Sequence, residues 1–247
     1  MSVVARPPRD RELLDALTRP IELDAATHEI LVAENGAVAQ AASRAQGDVI
    51  LFLDGDVLAP RGLASAHGRR QAEQRRRLIL GYTPYRVLHE RTPADYGPRL
   101  RSRHYEARCR AYERDPGTVL LELWGGNLSL WREDWLSLDL GAAETQREIA
   151  LRCREAGFRG VFDRSLQALR LYEPSLSEFI GDARRHGLLE AARPAAPASG
   201  PGRFAAVPSL GLRALLTFAG TAHVWRVQDA AARLLWEVEA RRGATGA

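Results

Sequence analysis

Val49-Ile50-Leu51-Phe52-Leu53-Asp54-Gly55-Asp56 is the most informative stretch of the chain. Five apolar residues in a row, entered through Gly47-Asp48, predict a strand buried on both faces, as at the centre of a parallel sheet. Two carboxylates follow where that strand leaves the sheet. In open α/β folds, ligands bind at the carboxyl ends of strands. Two carboxylates one residue apart, with glycine between them, can face a divalent cation, and hard cations such as Mg²⁺ or Mn²⁺ take oxygen ligands and bridge to substrate phosphates. A solvated turn at a strand end is the plainer reading of the same residues.

Upstream, Ala37 to Ala45 is Ala-rich and predicts a helix. Glu29 to Ala33 predicts a buried strand that ends in the turn Glu34-Asn35-Gly36. Asp10 to Leu17 places three leucines on one helical face, and Ser2 to Val4 reads as a short opening strand. Downstream, Gly62 to Arg77 reads as a polar helix and Leu78 to Gly81 as a strand. Thr83 to Asp115 is basic and rich in aromatics, with weak patterning. Val119 to Leu123 reads as a strand, Leu128 to Trp131 as extended, and Glu133 to Leu138 as a short helix. Thr145 to Ala156 predicts a helix with Gly157 at its end, followed by a strand at Gly160 to Asp163. Strands alternating with helices imply an α/β sheet with parallel pairs. Ala191 to Gly202 is a Pro/Ala/Gly linker, and Leu210 to Arg242 reads as two helices hinged near Gly220. The expected organisation is a domain over 1–190, a linker over 191–205 and a helical segment over 206–247.

Composition narrows the classes. The chain has 247 residues, 45% apolar and 27% charged, an ordinary globular balance. No apolar run is long enough to cross a membrane, and the N-terminus carries no apolar signal segment. All basic residues are arginine, and the net charge is +4 with a pI near 9.5. That excess is small and comes with no nucleic-acid-binding signature, so nucleic acid is not the expected partner. Cys109 and Cys153 have no metal-ligand spacing, which fits a reducing cytoplasm.

Five stretches, taken in order, resemble the glycosyltransferase family 2, whose nucleotide-sugar-binding fold is called GT-A. The sequence from Ser2 to Leu14 is similar to the family's opening strand and helix, and Glu29 to Gly36 (EILVAENG) to its EIIVVDDG. Ala45 to Asp56 (AQGDVILFLDGD) is similar to AxGDxxxFLDxD, and Gly125 to Glu133 (GGNLSLWRE) to GGNxxxRRE. Glu148 to Phe162 (EIALRCREAGFRGVF) is similar to ExxLxxRLxxxGxxxxF. The resemblance implies a mixed, mostly parallel GT-A sheet flanked by helices, here with a C-terminal helical appendage. It implies transfer of a sugar from a nucleotide-diphosphate sugar to an acceptor hydroxyl.

Roles follow by position. Asp54 and Asp56 match the carboxylates that hold the metal (Mg²⁺ or Mn²⁺) and diphosphate, and Glu34 the acid that recognises the nucleoside. Gly126 and Asn127 match a loop near sugar and acceptor, and Trp124 beside them is a candidate wall of the sugar site. Core packing and a tight turn are the plainer uses of these three.

Three departures stand out. The family's general base, an aspartate in ED-x-E-L, falls on Gln146 in Thr145-Gln146-Arg147-Glu148-Ile149. An amide cannot take a proton at neutral pH. Glu144 and Glu148 are the nearby carboxylates that could substitute, or simply helix-start acids. Arg170 stands where the family often has a histidine; a guanidinium cannot ligate a metal but can hold a diphosphate, so metal-free operation is the alternative to Mg²⁺ or Mn²⁺ if Arg170 points into the cleft, and a surface arginine is the plainer reading. The nucleotide-binding half is also shortened, since Gly36 runs almost directly into Ala37 to Asp48, and Arg6-Pro7-Pro8-Arg9 replaces the usual PTYN. These departures keep a second expectation open: a catalytically degenerate binding or scaffold subunit. The apolar face of the C-terminal helices (Leu212, Leu216, Val227, Leu235 and neighbours) suggests packing on the body or on another subunit, with peripheral membrane contact as the alternative.

Overall fold

The structure is a computed structural model that describes residues 1–5, 18–27, 29–33, 38–138, 146–191 and 209–245. Within the first 171 residues, the strands are β1 (Ser2–Ala5), β2 (Glu29–Val32), β3 (Val49–Leu53), β4 (Val57–Leu58), β5 (Arg77–Tyr82), β6 (Asn127–Trp131), β7 (Arg159–Gln167) and β8 (Leu169–Arg170). The helices are α1 (Val38–Arg44), α2 (Leu63–Ala72), α3 (Tyr96–Arg114), α4 (Arg132–Ser137), α5 (Gln146–Glu155), α6 (Leu176–Ala191), α7 (Ser209–Thr221) and α8 (Trp225–Thr245). Six strands form one sheet in the order β2-β1-β3-β6-β5-β7, and β4 pairs with β8 in a separate ribbon. The pairs β1–β2, β1–β3 and β5–β7 are parallel, while β6 runs antiparallel to both of its neighbours.

All five residues of β3 are buried, as its unbroken apolar run predicts. Strand alternation sends them to two cores. Ile50 and Phe52 join Val4, Leu78 and Leu80 on one face; Leu51 and Leu53 join Val3 and Ile79 on the other. Each fully buried aliphatic side chain contributes about 1.5–3 kcal/mol, so these alternating residues anchor both faces of the sheet. β2, expected to be buried, is a half-buried strand at the sheet's edge, because among the described residues only β1 flanks it.

Two further stretches differ from expectation. Val119 to Leu123 does not form a strand: Pro116–Leu120 is a 3₁₀ turn, started where the Asp115 carboxylate accepts from Gly117 N at 3.0 Å. Pro116 and Gly117 break extended pairing before the apolar residues arrive. The weakly patterned segment after Thr83 contains the 19-residue helix α3. The expected helix at Asp10 to Leu17, the substituted Arg6–Arg9 segment and the linker beyond Ala191 lie outside the described residues.

Packing divides the chain into two units, Met1–Arg86 with His104–Leu171, and Val87–Arg103 with Tyr172–Ala247. The first carries the sheet. In the second, α6, α7 and α8 pack around Phe179, Leu216, Leu235 and Trp236. There α6 and α8 cross closely: a Cβ on Gly187 would stand 1.7 Å from the Ala240 carbonyl oxygen, and one on Gly243 would stand 2.0 Å from that of Arg184. Glu239, with no exposed surface, receives Arg184 Nε at 2.7 Å, Arg242 Nη1 at 3.0 Å and Arg213 Nη2 at 3.5 Å, one arginine from each of the three helices.

Candidate functional site

The reversal of β6 sets the site. Because β6 is antiparallel to β3, Leu53 pairs with Asn127, and the carboxyl end of β3 meets the loop that enters β6. Asp54 N donates to Gly126 O at 3.1 Å, closing that corner. The chain then turns over Gly55-Asp56, with Val57 N donating to Asp54 O at 3.0 Å, and enters β4. β4 pairs with β8 so that Val57 lies opposite Arg170, and Leu171 N donates to Asp56 O at 2.7 Å. Three segments far apart in sequence thus converge.

Arg170 fills the point of convergence. Its Nη2 donates to Asp54 Oδ2 at 2.9 Å and to Gly125 O at 3.0 Å; its Nη1 donates to Asp56 Oδ2 at 3.2 Å. The guanidinium stands 5.8 Å from the centre of the Tyr85 ring. Its side chain is 12% exposed, against 19% for Asp54 and 35% for Asp56. Burial works against the charge, but Asp56 and Asp54 outweigh it and hold Arg170 firmly protonated. Gly126 makes this approach feasible: it sits at φ +123°, and a Cβ there would stand 1.9 Å from Arg170 Nη2 and 2.9 Å from Asp54 Oδ2.

The residues present do not fit a divalent cation. The seat expected for Mg²⁺ or Mn²⁺ between Asp54 and Asp56 is taken by a permanently charged guanidinium, and among the described residues no three His, Cys, Asp or Glu side chains gather as ligands.

Trp124 is half-buried, stacked edge-on against Tyr105 with ring centres 5.9 Å apart, and its backbone N donates to Tyr112 Oη at 3.1 Å. Asn127 is fully buried. Its Nδ2 donates to Leu166 O at 2.8 Å, which leaves Oδ1 to accept from His67 Nε2 at 2.8 Å. His67 Nδ1 then accepts from the Ser129 hydroxyl at 2.8 Å. Burial pulls His67 down to about 4, opposed by the bond to Asn127 and by Asp163, so the ring is neutral at physiological pH. His67 was not singled out from sequence; its only signal is a histidine on the apolar face of a polar helix.

Gln146 opens α5, and Glu148 lies exposed in its first turn, where the helix dipole favours an acid. Glu34 and Glu144 lie outside the described residues. Beside Asp54 and Gly126 a narrow cavity of about 20 Å³ is lined by Val4, Phe52, Leu128 and Ile149, room for about one water. A larger cleft of about 470 Å³ lies on the reverse side of the β4–β8 ribbon, lined by Leu58 and Leu169, the pair next to Val57 and Arg170. Neighbouring pairs face opposite ways, so this cleft lies behind the Arg170 cluster.

No protein-family model and no curated protein sequence matches the chain. Among solved structures, the mannosyltransferase PcManGT from Pyrobaculum calidifontis, in complex with GDP-Man and Mn²⁺, is similar at a TM-score of 0.55 and 13% identity, over 95% of this chain and 85% of that one. GalNAc-T7 with UDP, GalNAc and Mn²⁺ is similar at a TM-score of 0.47 and 11% identity, over 70% of this chain; the match spans 43% of GalNAc-T7. Residues 1–349 of S. aureus TarS are similar at a TM-score of 0.46 and 11% identity, over 99% of this chain and 90% of that one. The fold is GT-A: a mixed, mostly parallel six-stranded sheet flanked by helices, with helices at the C-terminus.

Proposed function

We propose that the chain is a glycosyltransferase that takes a nucleotide-diphosphate sugar as donor and passes the sugar to an acceptor hydroxyl. We place it in the cytoplasm. The observation that carries this reading is the convergence of Asp54, Asp56 and Arg170 at the carboxyl end of β3, the point of an α/β sheet where ligands bind. A leaving diphosphate needs positive charge beside it. Here Arg170 supplies that charge as a fixed part of the chain, in place of a metal. Glu34 is the residue we assign to the nucleoside, Trp124, Gly126 and Asn127 to the neighbourhood of sugar and acceptor, and Glu148 or Glu144 to the base position that Gln146 cannot fill.

Charge sets how such a site would take its donor. Two carboxylates against one guanidinium leave a net charge of −1, which repels a diphosphate. The Asp56 contact is the longer, and Asp56 is the more exposed carboxylate, so it yields first and frees Nη1 for a phosphate oxygen. The same locked cluster, together with Gln146, favours a second reading: a degenerate glycosyltransferase-like subunit that binds a partner without catalysis.

The test is thermal stabilisation by UDP, GDP, dTDP and CDP, each with Mn²⁺ and with EDTA, since a ligand of the native state raises stability by mass action. One nucleotide should give a shift that survives EDTA, disappears in Arg170→Met and grows in Asp56→Asn, which removes a repelling charge. A shift only with Mn²⁺ overturns the metal-free role of Arg170. No shift with any of the four moves the conclusion to the scaffold reading.

A further inference from the structure

Helix α7 is apolar on both sides. Leu212, Leu216 and Ala219 are buried in the second unit. The opposite side should be polar in an ordinary surface helix. Instead Leu210 is 77% exposed, Phe218 66% and Leu215 41%, and exposed apolar residues continue with Val224 at 44%, just before α8, and Val227 at 38%, in its first turn. Leu210, Ala214 and Phe218 follow one another at four-residue intervals along this outward side. The only charged residue in α7 is Arg213. Single exposed apolar residues are ordinary, but five within one short stretch of chain mark an interaction surface.

The charge around the patch identifies what it meets. From Ser209 to Gln228 the sequence contains no Asp or Glu, and of its two arginines Arg213 is held by Glu239. Arg226, beside Val227, is exposed. An acid-free apolar stripe flanked by an exposed arginine complements an anionic lipid surface, where the stripe enters the acyl boundary and Arg226 meets headgroup phosphates. Trp225 sits half-buried at the junction of the two helices, an aromatic suited to the headgroup level. The helix cannot span: its 13 residues rise about 20 Å, well short of the roughly 30 Å hydrocarbon core. Among the described residues no helix is long and apolar enough to cross a membrane.

We propose that the outward side of α7, with the first turn of α8, is a membrane-docking surface that lies in the plane of an anionic bilayer. The full-length protein is to be sedimented with vesicles of phosphatidylglycerol and phosphatidylcholine in equal parts, and with vesicles of phosphatidylcholine alone. Binding is expected on the anionic vesicles, weakened by added salt and much lower on the neutral ones. Phe218→Asp and Leu210→Asp should each lower the vesicle partition constant on the order of tenfold or more, and Arg226→Gln several-fold. Because these side chains are exposed, the variants should keep the parent's melting temperature; a variant that does not is replaced by Phe218→Ser. Absence of binding to anionic vesicles, or binding that these variants leave unchanged, overturns the proposal. So does concentration-dependent self-association in light scattering that Phe218→Asp abolishes while vesicle binding persists: the surface then belongs to a second copy of the chain.

Discussion

Arg170 and His67 are the two side chains whose environment most constrains what the protein can do. Replacing Arg170 with methionine keeps bulk but removes the fixed cation, and leaves Asp54 and Asp56 converging on an open seat. Arg170→Met should therefore acquire a Mn²⁺ site in the micromolar-to-millimolar range, seen by electron paramagnetic resonance, that the parent protein lacks. Equal binding by both proteins would sink this account. His67 carries the pH prediction. Its native value of about 4 lies below the ordinary 6.5, so the unfolded chain binds the extra proton between those limits. The stability tied to its neutral ring is complete above the ordinary value and is lost as pH falls through the window, by about 3 kcal/mol in all. Urea midpoints followed across that window should fall less steeply in His67→Gln than in the parent. At this scale Asp54 and Asp56 were legible, because a buried strand and the turn that ends it are local pattern. Arg170 was legible as a residue out of place. Its partners were not, since the Arg170–Asp54 contact closes across 116 residues and no local period reports it. His67, Asn127 and Ser129 form a buried polar network, whose one local sign is a histidine on the apolar face of a polar helix and whose partners lie about sixty residues further on.

Helix α3 illustrates why some elements hid. Tyr96 and Leu100 are buried near its start, and Tyr105, Cys109 and Tyr112 further along. The second set lies about half a turn around the helix from the first. No single apolar stripe runs its length, so the helical period cancels. The stretch at Val119 read as a strand because four apolar residues in five fit either geometry, and the Asp115–Gly117 turn settled it as a 3₁₀ piece. The strands β1, β3, β5 and β6 and the helix pair α7–α8 were legible because apolar residues and punctuation agree there; α6 was not foreseen. The close crossing of α6 on α8 yields a paired expectation. Gly243→Leu drives a side chain into the Arg184 backbone and should cost about 2 kcal/mol or more in chemical unfolding. Gly211→Ala, in open space on α7, should instead raise stability by up to about 1 kcal/mol. Equal effects from the two would contradict the crossing.

Across the whole molecule, composition drew a boundary at the Pro/Ala/Gly linker, while packing gathers α6 and Val87–Arg103 with the C-terminal helices. Linker composition reports where helix- and strand-breaking residues gather; it does not report which helices share a core. The GT-A architecture was legible only through the ordered set of motifs, because sheet order depends on crossovers that no single strand encodes. That order has a consequence in time. Asp54 and Asp56 are synthesised more than a hundred residues before Arg170, and β8 is the last strand to be made among the described residues. A nascent chain still short of β8 holds both carboxylates with no counter-charge from Arg170. The site is therefore completed late in synthesis, and until Arg170 arrives its two carboxylates stand as an uncompensated double negative charge.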